Sequence, residues 1–170
     1  MEVGISRNRA PDRLTGVPGL PPFERVVEAH GPALLRFCAL EAGPGGADDC
    51  FQETMIAALR SYGSLRDGDA VRSWLFAIAA RKAVDAHRAA ARRPLPVEDV
   101  PALAGAVEPV YRDEALWERV RALPDKQRQA VTLRYLADLS HREIAEVMGI
   151  SEPAARRNAF EGLERLRRET

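Results

Sequence analysis

The chain has 170 residues, 46% hydrophobic and 29% charged, a composition that fits a soluble globular protein with apolar material for one core or two small ones. Its 25 basic residues balance 25 acidic ones, which excludes a polycationic coat for nucleic acid and requires any such contact to come from local clustering. No stretch approaches the ~18 to 20 apolar residues of a membrane span and the N-terminus lacks a hydrophobic signal core, so a cytoplasmic chain without membrane insertion is expected.

Residues 1–21 are rich in Gly, Pro, Arg and Asn without periodicity and are expected to form a disordered tail. From 22 to 93 the pattern is helical. Phe23, Val26, Val27 and His30 open an apolar stripe that Leu34, Leu35, Cys38 and Leu40 continue beyond Gly31-Pro32, a pair expected to kink or restart the helix. A second helix opens at Ala47-Asp48-Asp49, where acids suit the positive end of the dipole, and runs to Tyr62. A third runs from near Asp69 to about Arg93. Cys38 and Cys50 lie in apolar helical contexts without a CxxC or a neighbouring His, so buried reduced thiols are expected, with no disulfide and no metal.

The segment 94–111 changes character: Pro94, Pro96, Pro101 and Pro109 interrupt it, and its charges up to Val110 are the acids Glu98, Asp99 and Glu108. It reads as an extended linker between two helical modules. Beyond it, in 112–170, helices are expected over 112–121 and 125–136, followed by a helix-turn-helix. The fold class is therefore all-α, two small helical domains joined by a linker, with no repeat and no strand-period segment.

In the helix-turn-helix every local signal agrees with the next. Ser140 precedes an apolar-periodic run with Glu143 three residues on, the reciprocal pair that satisfies two orphan backbone donors at a helix start. Ile144 and Met148 lie one turn apart, Ala145 is small enough for a second helix to approach, and Gly149 supplies the positive φ of a tight turn. Ser151 caps the next helix, Pro153 sits in its first turn, and Ala155, Ala159, Leu163 and Leu166 repeat at helical spacing. Opposite them lie Arg156, Arg157, Asn158 and Arg165, the arrangement that sets a recognition helix into a major groove. Solvated arginines alone would suit a plain helical hairpin; cap, small residue, glycine and second cap at fixed offsets favour DNA.

The first module carries two further surfaces. Asp49, Gln52, Glu53 and Ile56 share one face of the second helix, while Phe51, Met55 and Leu59 share another, expected to be core. On the third helix Trp74, Leu75, Ile78 and Ala79 read as core, and Arg81, Asp85, Arg88 and Arg92 form a stripe flanked by Lys82 and Arg93. Five basic residues against one acid, in a chain of zero net charge, suit a phosphate backbone.

Together these pieces resemble the bacterial RNA polymerase sigma factors of the sigma-70 family. Ala47-Asp48-Asp49-Cys50-Phe51-Gln52-Glu53-Thr54 resembles their core-polymerase-binding motif, and Trp74-Leu75-Phe76-Ala77-Ile78-Ala79 through Asp85 and Arg88 resembles their promoter-melting helix. The C-terminal stretch is similar to their minus-35 reading domain. The resemblance spans about 23–168 in the family's order, and the short connection is similar to that of the small extracytoplasmic-function (ECF) group. It implies sigma region 2 over 22–93 and sigma region 4 over 112–170, with core RNA polymerase, promoter DNA and an anti-sigma factor as partners and no cofactor.

On that resemblance Asp48, Asp49, Gln52, Glu53 and Ile56 would dock on polymerase. Trp74, Arg81, Lys82, Arg88, Arg92 and Arg93 would hold and open the minus-10 element, and Ser151, Glu152, Arg156, Arg157, Asn158 and Arg165 would read the minus-35 element. Some positions depart from the pattern. Cys50 stands where a leucine is usual, Arg81 where asparagine is common, and Asn158 replaces a common arginine. Ala155 and Ala159 are smaller than usual, and Gly162 costs about 0.8 to 1 kcal/mol of helix propensity against alanine, so looser packing is expected, with Phe160 compensating.

Two other classes compete. A dimeric helix-turn-helix regulator would use the first module for dimerisation or effector binding, and would occupy a palindrome unaided. An enzyme would use Asp48, Asp49 and Glu53 as metal ligands or acid–base groups. It ranks last, because no His neighbours those acids, His30, His87 and His141 are scattered, and no glycine-rich phosphate loop is present.

Overall fold

The structure, a computed structural model, describes residues 19–43, 45–92 and 114–168. Among these, α1 (Phe23–Glu41), α2 (Ala47–Ser61) and α3 (Val71–Arg92) form the first module, with a 3-10 turn over Tyr62–Ser64. The second consists of α4 (Glu114–Ala122), α5 (Asp125–Tyr135), α6 (His141–Met148) and α7 (Glu152–Arg168). No strand occurs among the described residues. No helix among them is long and apolar enough to cross a membrane. The proposed linker 94–111 lies outside the described residues.

The first core forms where α1 and α3 cross. Val26, Leu34, Phe37 and Cys38 of α1 meet Val71, Leu75, Phe76, Ala79 and Ala80 of α3. Phe37 and Phe76 pack edge to face at 5.4 Å, the arrangement ring quadrupoles favour. Of the kink or restart expected at Gly31-Pro32, the restart does not occur; Pro32 lies inside a continuous α1. An internal proline costs about 3 kcal/mol, and the apolar face on both sides of Pro32 is buried deeply enough to offset it. Leu20, placed in the tail by its Gly- and Pro-rich surroundings, is buried in the same core, and the Tyr62 hydroxyl donates to the Pro21 carbonyl at 2.5 Å. Residues 1–18 lie outside the described residues.

The stripe predicted for α2 is out of phase. Its buried residues are Cys50, Thr54 and Ala58, while Phe51 and Met55 are half-buried and Leu59 is 47% exposed. Small residues let α2 lie close to α3, with the Cys50 thiol directed at the Ala79 carbonyl and the Thr54 hydroxyl donating to the Cys50 carbonyl at 2.7 Å. Both cysteines are free and buried, as expected. The Cys50 thiol hydrogen-bonded beside it, and then burial, push the Cys38 thiol up, so it stays protonated.

The second module follows its sequence signals closely. Glu143 N–H donates to the Ser140 hydroxyl at 3.3 Å while the Ser140 N–H donates to the Glu143 carboxylate at 2.8 Å, closing the capping box of α6. Gly149 ends α6 at φ 65°, and the Ala154 N–H donates to the Ser151 hydroxyl at 3.4 Å to start α7. Packing beneath α7 is tight where looseness was expected. Ala155 and Ala159 are buried, and a Cβ on Gly162 would lie 2.7 Å from a methyl of Val131 and 3.2 Å from the Gln127 carbonyl oxygen. The missing side chain is what lets α7 press onto α5. Phe160 does not compensate; it points outward, 63% exposed. Gly162→Ala is therefore expected to lower stability by about 1 to 2 kcal/mol in urea unfolding, because the overpacking cost exceeds the gain in helix propensity.

The modules touch. Ala130, Leu133, Leu139 and Ile144 belong to the same apolar cluster as Phe37 and Phe76, with α3 packed on α6 and α1 on α5. At this seam the Glu41 carboxylate, at the end of α1, accepts from the Thr132 hydroxyl at 3.0 Å and from Arg128 at 3.4 Å. Burial pushes the Glu41 carboxyl up, against the opposing pull of Arg128 and Thr132.

Candidate polymerase and promoter interface

Because α2 buries only its Cys50/Thr54/Ala58 edge, the opposite edge stands in solvent. Asp48, Asp49, Gln52 and Glu53 are exposed and Ile56 is 50% exposed, with Leu59 extending the ridge one turn further. An exposed run of carboxylates and an amide beside two large apolar side chains is a surface fitted to a basic, partly apolar partner. The structure thus leaves the predicted face exposed and adds Leu59, whose spacing from Phe51 and Met55 points to the core.

Around α3 the predicted residues divide by environment. Arg81 and Arg88 are exposed, while Lys82 is half-buried and donates to the Glu53 carboxylate at 3.0 Å. That pair ties the acidic ridge of α2 to the basic stripe of α3, although an exposed ion pair contributes no more than about 1 kcal/mol. Trp74 is half-buried with its ring 6.0 Å from that of Tyr62 and tilted 46° to it, so the indole remains partly open to solvent near the start of the helix. The side chain of Arg92 and all of Arg93 lie outside the described residues.

On α7 the buried line Ala155, Ala159, Gly162 and Leu166 fixes which side chains face away from the module. Arg156 and Arg157 are exposed on that side, as are Ser151 and Glu152 at the helix start. Arg156 donates to the Glu152 carboxylate at 3.2 Å, a contact that holds the guanidinium along the helix until a stronger acceptor replaces it. Asn158 is half-buried and its amide donates to the Ala154 carbonyl at 2.9 Å, so it stands aside from the outermost line. Arg165 is exposed beside Phe160, Glu164 and Arg168, lining a shallow depression. Helical phase alone turns Phe160 away from the buried line; its exposure runs against the expectation that a large ring would make up for Ala155 and Ala159.

The comparisons with known proteins fall on the same two modules. The model of sigma-70 region 2 matches residues 26–93 and that of sigma-70 region 4 matches residues 113–166. The ECF RNA polymerase sigma factor SigD of Mycobacterium tuberculosis is 34% identical over 161 residues, covering 86% of this chain and 76% of that protein. The RNA polymerase sigma factor CarQ of Myxococcus xanthus is 33% identical over 152 residues, covering 85% and 87%. Among solved structures, the sigma factor RpoE in complex with the anti-sigma factor NepR, from Bartonella quintana, aligns with TM-score 0.69 at 21% identity over 86% of this chain and 94% of that one. CnrH, solved with the cytosolic domain of CnrY, aligns with TM-score 0.59 at 24% identity over 85% and 84%. These two show the fold. The chain belongs to the sigma-70 family of RNA polymerase sigma factors, within its ECF group, a family of transcription initiation factors.

Proposed function

We propose that this sigma factor docks on core RNA polymerase through the ridge of Asp48, Asp49, Gln52, Glu53 and Ile56, and carries promoter recognition on α3 and α7. The carrying observation is the exposed α2 ridge, where an amphipathic helix leaves Ile56 and Leu59 in solvent next to a row of acids and an amide. Complementary charge would speed encounter and fix register, and the apolar pair would supply the desolvated centre of the interface. Arg81, Lys82, Arg88, Arg92 and Arg93 hold the minus-10 duplex by its phosphates, and Trp74 at the head of the helix offers a face on which an unstacked base is held.

In region 4, Arg156 and Arg157 read base edges, a guanidinium being a bidentate partner for guanine, with Ser151 and Glu152 at the helix start and Asn158 and Arg165 along its flanks. Asn158 reaches a base only by giving up its bond to the Ala154 carbonyl. Promoter opening needs no covalent chemistry from this chain, which acts in the cytoplasm as a binding factor and not as an enzyme. An anti-sigma factor is a further partner, by analogy with the RpoE–NepR complex.

Analytical gel filtration with purified core polymerase tests the reading against a free-standing regulator. The chain is expected to co-elute with core at one copy per polymerase and to elute alone as a monomer. Self-association, with protection of an inverted repeat in the absence of polymerase, would favour the regulator.

A further inference from the structure

Cys38 and Cys50 meet in the core of the first module, and neither has a part in docking or in DNA contact. The Cys38 thiol donates to the Cys50 sulfur, and the Cys50 thiol in turn points at the Ala79 carbonyl at 3.9 Å, so a short chain of thiols joins α1 through α2 to α3. The hydrogen bond makes the pair unequal. It draws the Cys50 thiol below its ordinary value, while the Cys38 thiol, bonded and buried, is pushed up. Cys50 is therefore the sulfur that ionises and Cys38 the one that keeps its proton, the division of labour of an attacking and a resolving thiol.

Both sulfurs are buried, and a buried thiol reacts only when the structure around it opens. The element that covers them is lightly held. α2 buries only Cys50, Thr54 and Ala58, all small, and its N-cap Gly46 has no side chain with which to cap it. The connection from α1 contains Gly43, Gly45 and Gly46. Lifting the first turn of α2 therefore costs less than parting α1 from α3, which bury Phe37 against Phe76. That turn also carries Asp48 and Asp49, so whatever moves Cys50 moves the acidic ridge.

We propose that Cys38 and Cys50 are a modification site, joined as a reversible disulfide by hydrogen peroxide, and that this bond displaces α2 and weakens the hold of the factor on core polymerase. The regulatory half of the proposal rests on the α2 ridge being the docking face. The Cys50 thiolate attacks one peroxide oxygen and the O–O bond breaks. The departing hydroxide takes up the proton that Cys50 gave away and leaves as water, with Cys50 now a sulfenic acid. The Cys38 sulfur then attacks the Cys50 sulfur; the S–S bond forms, the S–O bond breaks, and the second hydroxide leaves as water with the Cys38 proton. Two thiols have lost two electrons and the peroxide has gained them. The new bond is about 2.05 Å long, far shorter than any non-bonded approach of two sulfurs, so Cys50 is drawn toward α1 and gives up the Ala79 carbonyl. α2 then shifts against α3, taking Asp49, Gln52 and Glu53 out of the position that the native Cys50, Thr54 and Ala58 contact sets. In a reducing compartment such a bond is transient, so it lasts only while the oxidant does.

The full chain is treated with a few equivalents of hydrogen peroxide, then denatured, alkylated and weighed by mass spectrometry, while a second portion is titrated with core polymerase. Peptides linked through Cys38 and Cys50 are expected, both thiols lost to alkylation together, with core affinity several-fold lower and restored by dithiothreitol. Cys38→Ala should stop the reaction at a Cys50 sulfenic acid that dimedone traps, and Cys50→Ala should leave Cys38 unoxidised. Either variant should bind core as the reduced wild type does, with or without peroxide, so the test survives if one of them folds poorly. Persistent loss of affinity in both variants after peroxide would assign the effect elsewhere, to oxidation of Met55 on the same helix for instance, and would overturn the proposal. Two free thiols after peroxide treatment, or a disulfide that leaves core affinity unchanged, would overturn it as well. A reduced chain that never binds core would instead overturn the polymerase reading and the regulatory half with it, while the yield of linked peptide still decides the chemistry.

Discussion

Replacing Asp49 and Gln52 together by alanine is expected to weaken binding to core polymerase by about 2 to 4 kcal/mol, roughly 30-fold or more, with helix content and melting temperature unchanged. Both side chains are exposed and neither takes part in a hydrogen bond or ion pair within the described residues, so their removal disturbs no packing. Alanine raises helix propensity at position 52, and at position 49 that gain is set against the loss of a first-turn acid that suits the helix dipole, so α2 stays close to its native stability. The charge term would appear first in the association rate and would shrink with added salt, whereas the Ile56 and Leu59 contribution would appear in dissociation and resist salt. Titration of labelled factor with core at two salt concentrations separates them. Undiminished affinity in the double variant would remove the ridge from the interface.

Arg156→Ala is expected to lose about 1 to 3 kcal/mol of discrimination between promoters differing at one base pair of the minus-35 element, with little change on DNA lacking that element. The guanidinium is held only by an exposed contact to Glu152, four residues back, so exchanging that partner for a base edge sacrifices little stability. Arg157 has a comparable aspect, and Arg157→Ala serves as the comparison. A uniform loss on every sequence would make Arg156 a phosphate contact instead. Asn158→Ala should matter less, since its amide already serves the Ala154 carbonyl.

The helix-turn-helix was the most legible part of the sequence, because its signals are local. Ser140, Glu143, Gly149 and Ser151 act within one or two turns, and each takes the geometry its spacing implies. Misreadings fall where distant residues decide. Leu59 looked like core by its spacing from Phe51 and Met55, but close approach of α3 at Cys50, Thr54 and Ala58 rotates the buried edge away from it. Pro32 left a restart open because the burial that offsets it comes from another helix. Gly162 looked like a weakness, yet it marks where α5 and α7 come closest. Leu20 carried no periodicity to announce its burial.

The seam was hidden for a related reason. Glu41 lies on the buried side of α1, one turn beyond Phe37, and Arg128 and Thr132 stand one turn apart on α5. A charged residue in core phase on one helix and a complementary pair on another form a readable pattern only when the two modules are assumed to meet. An extended linker between them suggested the opposite. The candidate recognition surfaces needed less such knowledge, since the α2 ridge, Leu59 apart, and the α3 stripe follow the phase of single helices.

Run-off transcription with purified core polymerase and a library of promoter fragments tests the central claim most directly. Sigma function through these two modules predicts transcripts that require both core and this chain, and that start at a fixed distance downstream of two unlike sequence elements, with each element lost to variants in its own module. Transcripts indifferent to the chain, or dependent on a single palindromic element, would contradict it.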